Sequence, residues 1–423
     1  MHIAVPESVG LSSSRLQRVT DWLHLQISSE RVAGASVMLS RRGKIAYFAA
    51  AGVSELSTSR PFDEDTIVRI YSMTKPITTV AAMMLYEQGH FQLDDTLAQH
   101  IPAFSALSVW TGGDADITST EPVTVPMTIR HLMSHTSGLT YGFMHSNVVD
   151  REYRKQNIGF PSDVTNLQEW VKRLAKIPLL CQPGTQWNYS VSTDVLGALV
   201  ELWSGQSLAA YFDEHIFEPL GMLDTSFSVR AENHVRFAAL YAPLSGGGLS
   251  NVNRGAASNE PCAPGLALQE SASESPFLQP TTVYSGGGGL TSTVEDYRRF
   301  CQMFLNGGEL AGERLLSPKT VEFMRRNQLP DNCDMAAMGQ PVWSETNYAG
   351  IGFGLGFAVV IDPVKAHTIT SVGEHHWGGA ASTFFWLDPE EDLFVVFLTQ
   401  LLPSTTYPIR RELRTRIYQA LID

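Results

Sequence analysis

The residues with the clearest chemical signal are Tyr71-Ser72-Met73-Thr74-Lys75. A serine three residues before a lysine shares one face of a helical turn with it. A serine hydroxyl is a poor nucleophile until a neighbouring group takes its proton, and an amine one turn away can do so. A serine in the first turn of a helix also lies where backbone N–H groups point outward, which favours a developing oxyanion. Of the seven lysines, Lys75 alone has a serine three positions earlier. It leads into Pro76-Ile77 and Val80-Ala81-Ala82-Met83-Met84, a largely apolar helix. A lysine buried there needs a reason, whereas on spacing alone the pair would read as a solvated Ser and Lys on a surface helix.

Other chemistries find less support. The Gly-x-Ser-x-Gly elbow is absent, so a Ser-His-Asp triad has no anchor. His135, in Ser134-His135-Thr136-Ser137-Gly138, reads as a hydrogen-bonded loop histidine. His131 and His135 lie four apart without the glutamate of His-Glu-x-x-His, and the adjacent His375-His376 cannot both face one ion from a strand. No metal and no organic cofactor is expected.

The elements that would position Ser72 follow from hydrophobic spacing. Leu16, Val19, Trp22, Leu23 and Ile27 recur at helical spacing after Ser12-Ser13-Ser14. The runs 35–40 and 44–48 around Arg42-Gly43 read as a β-hairpin, and 72–88 as a helix ending at Gly89. Residues 91–280 show short helical patterns and turns with no clear strand ladder. The stretch 245–260 reads as a long flexible loop. Strand-like runs return at 356–361, 382–387 and 393–398, with a helix-like stretch at 292–305 and a closing helix at 409–421. Strands at both ends with helices between predict an α/β lobe from residues 1–90 and 285–423, and a mainly helical lobe from 91–284.

The chain has 423 residues, 43% hydrophobic and 17% charged, an ordinary globular balance. A formal charge of −13, from 43 acidic and 30 basic residues, disfavours nucleic acid and anionic membrane surfaces as partners. Cys181, Cys262, Cys301 and Cys333 form no Cys-x-x-Cys and read as scattered buried thiols. The first residues lack a basic start with an apolar run, and no 18-residue apolar stretch occurs, so a cytoplasmic location is expected.

Ser72-Met73-Thr74-Lys75 resembles the first motif of the serine β-lactamase and penicillin-binding protein superfamily. Thr128 through Leu139, Pro183-Gly184-Thr185-Gln186-Trp187-Asn188-Tyr189-Ser190 running into Asp194-Val195-Leu196-Gly197, Phe217 to Met222 and Gly286 to Ser292 are similar to segments of its class C branch, in the same order. Within that branch the chain looks most like the family VIII carboxylesterases, and next like acyltransferases of polyketide tailoring. The resemblance implies an α+β fold, with an antiparallel sheet flanked by helices, an inserted mainly helical lobe and the active site between the lobes. It also implies Ser72 as nucleophile, with Lys75 and Tyr189 sharing the role of base. Ser72 and Ala380 N–H groups would form the oxyanion hole, and Trp377, Gly378, Gly379, Tyr141 and His376 would contact substrate.

The departures bear on the substrate. None of the thirteen tyrosines has asparagine two residues on, and Trp377-Gly378-Gly379 stands where β-lactamases carry Lys-Thr-Gly. Loss of that cation weakens recognition of an anionic substrate and favours a neutral ester. Serine carboxylesterase action on short-chain esters is therefore the expected function, with weak β-lactam cleavage left open. An acyltransferase with the same Ser-Lys-Tyr site is one alternative, a β-lactamase or D-amino-acid peptidase another, and a non-catalytic binding member a third. A small-molecule ester is the one partner implied, and the oligomeric state is open.

Overall fold

The computed structural model describes residues 1–113, 115–244, 265–339 and 348–423. The first hairpin pairs β1 (Gly34–Arg41) with β2 (Lys44–Glu55). Arg42 and Gly43 between them have φ of 51° and 70°. Positive φ at both central residues is the turn whose twist matches paired strands. After β3 (Arg60–Pro61), the sheet is completed from the other end of the chain by β4 (Ile351–Phe353), β5 (Ala358–Val360), β6 (His375–Gly378), β7 (Phe384–Asp388) and β8 (Leu393–Thr399). The spatial order is β4-β5-β6-β7-β8-β1-β2-β3, antiparallel throughout.

Both faces of this sheet are covered, which is why every residue of β1 and β8 is buried instead of alternate ones. Val37, Leu39, Val395 and Phe397 face α1 (Ser13–Ser28) and the C-terminal helix Ile409–Tyr418, meeting Leu16, Trp22, Leu413 and Ile417. Met38, Phe394, Val396 and Leu398 face the larger core on the other side. That core contains α2 (Thr74–Glu87), α3 (Ser192–Ser204) and α4 (Val294–Leu305). The region that shows no clear strand ladder in the sequence holds, among its described residues, two short antiparallel pairs, Ser108–Trp110 with Thr120–Pro122 and Leu240–Pro243 with Leu266–Glu270. A proline ends one strand of each pair and cannot donate to a ladder, so a longer alternating signal never develops. The expected loop at 245–260 lies outside the described residues.

Behind β6, on the face of the C-terminal helix, the fully buried Glu374 is held by Arg414 through bonds of 2.8 and 3.2 Å. Tyr418 and Thr370 also donate to it. Burial opposes its charge, but Arg414 and His376 hold its carboxyl well below the usual range. The folded state thus gains from Glu374 above the ordinary carboxylate range and loses that gain on acidification. Arg414→Met strands the charge in the core. It is expected to cost about 3–5 kcal/mol in urea unfolding at pH 7, with a deficit that shrinks at acid pH. An unchanged midpoint at pH 7 would contradict this.

Candidate active site

A short ladder brings the two halves of the site together. Val68–Arg69 pairs with Thr291–Ser292, so the chain entering Ser72 runs beside the chain leaving the Gly286–Gly289 run. Ile70 N–H donates to Leu290 O at 3.1 Å, and Leu290 N–H donates to Thr74 Oγ1 at 3.2 Å. Arg69 is fully buried and braced by Glu270, Ala238 O and Gln400 Oε1. Ser72 sits in a 3₁₀ turn, Tyr71–Met73, and the α-helix begins only at Thr74. The serine therefore precedes the first α-helical turn instead of lying in it.

From this turn Ser72 Oγ lies 3.3 Å from Lys75 Nζ and accepts a 2.6 Å hydrogen bond from Tyr189. Lys75 Nζ also donates to Gly287 O at 2.6 Å, and it stands 4.6 Å from the centre of the Tyr189 ring. Burial lowers the lysine to about 7, against the opposing pull of Asp194. Burial raises Tyr189 well above its ordinary value, although its contacts with Ser72 and the Trp377 indole work the other way. Burial thus favours the neutral amine and the intact phenol. A neutral Lys75 can keep an N–H on Gly287 O while its lone pair accepts from Ser72, whose oxygen still accepts from Tyr189.

Sequence reasoning gave no role to two members of this group. Asp194 is fully enclosed, accepts from Ser285 Oγ at 2.6 Å and from Gly287 N–H at 2.9 Å, and so fixes the loop whose carbonyl receives Lys75. Burial raises its carboxyl while Lys75 opposes that shift. A single carboxylate opening the apolar run Val195-Leu196-Gly197-Ala198-Leu199-Val200 was the signal available for it. The Gly287 carbonyl has no side-chain signature at all. A Cβ at Gly287 would come 2.5 Å from Asp194 Oδ2 and 2.9 Å from Tyr141 Oη, so glycine is required there by close approach.

Tyr141 stacks on Phe143 at 4.6 Å and meets Tyr189 at 5.1 Å. Trp377 stands 5.5 Å from Tyr189 and edge-on to Phe353. His135, buried against Tyr189 at 5.0 Å, bonds Ser190 Oγ through Nδ1, and burial first and Lys75 second hold it neutral. A Cβ at Gly379 would come 2.4 Å from Ile70 O, so the end of β6 lies directly against the nucleophile turn. Among the described residues, neither the Ser72 nor the Ala380 N–H makes a hydrogen bond. His376 is not brought to the group. Side chains alternate along β6, so with Trp377 toward Ser72, His376 points to the opposite face, 2.9 Å from Glu374 Oε1. Gly378 lies on that same face, where a Cβ would strike Arg410.

Cys181 and Cys301 are buried free thiols and Cys333 is half-buried; Cys262 lies outside the described residues. Among the described residues no three His, Cys, Asp or Glu side chains are grouped to hold a metal. No helix among them is long and apolar enough to cross a membrane.

The family model described as Beta-lactamase matches residues 18–420. The chain is 32% identical to Esterase EstB of Burkholderia gladioli, over 98% of this chain and 98% of that one. It is 28% identical to a monacolin J acid methylbutanoyltransferase of Aspergillus terreus, over 94% and 92% of the two chains. Among solved structures it is similar to EstCE1, described as a hydrolase with promiscuous acyltransferase activity, with a TM-score of 0.76, 27% identity and coverage of 97% and 99%.

Proposed function

This chain belongs to the serine β-lactamase family and is an esterase or acyltransferase of that fold; on that premise we propose that it hydrolyses short-chain, neutral carboxylic esters through an acyl-enzyme on Ser72, as a family VIII-type carboxylesterase. The observation that carries the reading is Ser72 Oγ held between Tyr189 Oη and Lys75 Nζ, with Trp377 facing the site where β-lactamases present a lysine. Neutral Lys75 takes the Ser72 proton as Oγ bonds to the ester carbon. The carbonyl oxygen gains the electron pair and is received by the N–H groups of Ser72 and Ala380. Collapse expels the alkoxide, which takes a proton from Lys75 directly or through Tyr189. Water then repeats the sequence on the acyl-enzyme, with Lys75 again accepting the proton.

Tyr189→Phe keeps the ring packing and removes the donor to Ser72. It is expected to lower kcat by about 10²–10³-fold with little change in thermal midpoint. Wild-type kcat in that variant would remove Tyr189 from the mechanism. Acyl transfer to an alcohol uses the same residues, and the likeness to a methylbutanoyltransferase favours it as a second reading. The test is hydrolysis of p-nitrophenyl acetate, butyrate and octanoate, with and without added alcohol, beside a chromogenic cephalosporin. Fast release from the short esters with a cephalosporin rate at least ~100-fold lower is expected, since Trp377 stands where β-lactamases present the lysine for a lactam carboxylate. Release only when alcohol is added would replace hydrolysis with transfer. A cephalosporin rate equal to the ester rate would contradict the neutral-ester assignment.

A further inference from the structure

Tyr71, one residue before the nucleophile, has φ of 42°. A bulky aromatic in the left-handed region is an outlier that persists only where its surroundings enforce it. Its ring packs into the small cluster Leu240, Ala380, Ala381 and Leu402, and meets Phe277 edge-on at 6.3 Å. Ala380 thus belongs both to the cluster against which Tyr71 packs and to the pair of unbonded N–H groups beside Ser72. The far side of the same turn is held in a matching way. Ser382 has φ of 66°, its hydroxyl is pinned on Leu401 O at 2.7 Å, and Leu401 N–H returns to Ala381 O at 3.1 Å. Each arm that carries an unbonded N–H therefore contains a non-glycine residue of positive φ, and Tyr71 of the first arm packs against the cluster that includes Ala380 of the second. The Tyr71 hydroxyl bonds nothing among the described residues, so the ring and the backbone are what act.

We propose that Tyr71 is a positioning residue of the oxyanion hole, its left-handed backbone aiming the Ser72 N–H and its packed side chain setting the distance to the Ala380 N–H. The proposal rests on the esterase reading above. It differs from a substrate-wall role, in which the ring would contact acyl or alcohol groups equally before and during reaction and would move KM.

The experiment compares wild type, Tyr71→Gly, Tyr71→Phe and Leu402→Ala on p-nitrophenyl acetate, with phenylboronic acid as the probe for a tetrahedral adduct on Ser72. Glycine tolerates the backbone but removes the side chain. Tyr71→Gly is expected to lower kcat by about 10–100-fold with KM within about threefold, short of the full loss of a donor. Phenylboronic acid affinity should fall by a similar factor, and circular dichroism should stay that of wild type although the lost ring packing lowers the thermal midpoint. Tyr71→Phe restores both kinetic values to within about twofold, and Leu402→Ala, which removes one support of the ring, lowers kcat by about 3–10-fold. A folded Tyr71→Gly with unchanged kcat, or with raised KM alone, overturns the proposal. If Tyr71→Gly fails to fold, unchanged kcat and boronate affinity in Leu402→Ala overturn it instead. Ser72→Ala run alongside separates the two levels: activity surviving there removes the esterase reading itself.

Discussion

Ser72→Ala is expected to lower p-nitrophenyl acetate turnover by about 10⁴–10⁶-fold, the range over which removal of a nucleophile from a concerted group is felt. The fold should be untouched. Ser72 is nearly buried, and its side chain makes polar contacts only with Lys75 and Tyr189 among the described residues. Alanine leaves the two to a water molecule or to each other. The thermal midpoint is therefore expected to stay within a few degrees, and circular dichroism to be unchanged. Retention of more than a tenth of the wild-type rate would mean that the acyl group is transferred elsewhere.

Lys75→Met carries the second large effect, and its sign differs between activity and stability. For activity, the amine must be neutral to accept the Ser72 proton. With Lys75 lowered to about 7, kcat/KM of the wild type should rise with pH through that value and then level. The variant should lose about 10³-fold or more in kcat/KM and lose that limb of the profile. For stability, the depressed value means that the unfolded chain binds this proton more tightly than the folded one between about 7 and the ordinary 10.5. Wild-type stability should therefore rise with pH across that window, and the full penalty of burying the ammonium is present below it. Methionine removes the penalty but also the bond to Gly287 O and the cation facing the buried Asp194, so Lys75→Met is expected to gain at most roughly 1–2 kcal/mol over wild type at pH 7. Urea unfolding at pH 7 and pH 10 checks this. A variant less stable at pH 7 would show that the ammonium is better compensated than desolvation implies.

These effects bear on what the sequence could reveal. The β1–β2 hairpin, α1, α2 and the C-terminal strands were legible because their apolar spacing and turn residues agree with burial on both faces of the sheet. Ser72, Lys75 and Tyr189 were legible through motif spacing and resemblance, and the structure brings all three within hydrogen-bond reach of one another or of Ser72. Gly287 O and the enclosed Asp194 were not, since their contribution arises where the 285–289 loop crosses α2 and α3, a contact with no local periodicity. His376 was grouped with substrate contacts because it adjoins Trp377. The period-two alternation of a strand, applied one residue further, would have placed it on the opposite face beside Glu374. The 3₁₀ turn at Tyr71–Met73 was hidden for another reason: tyrosine gives no sign of positive φ, and its packing against the Leu240, Ala380, Ala381 and Leu402 cluster is a tertiary contact.

The most direct measurement is mass spectrometry of the intact protein after reaction with an alkyl fluorophosphonate, followed by peptide mapping. A serine activated as described forms one stable phosphonyl adduct, so a single addition located on Ser72 and absent from Ser72→Ala is the expected result. An adduct at any other residue, or labelling that persists in Ser72→Ala, would contradict Ser72 as the nucleophile.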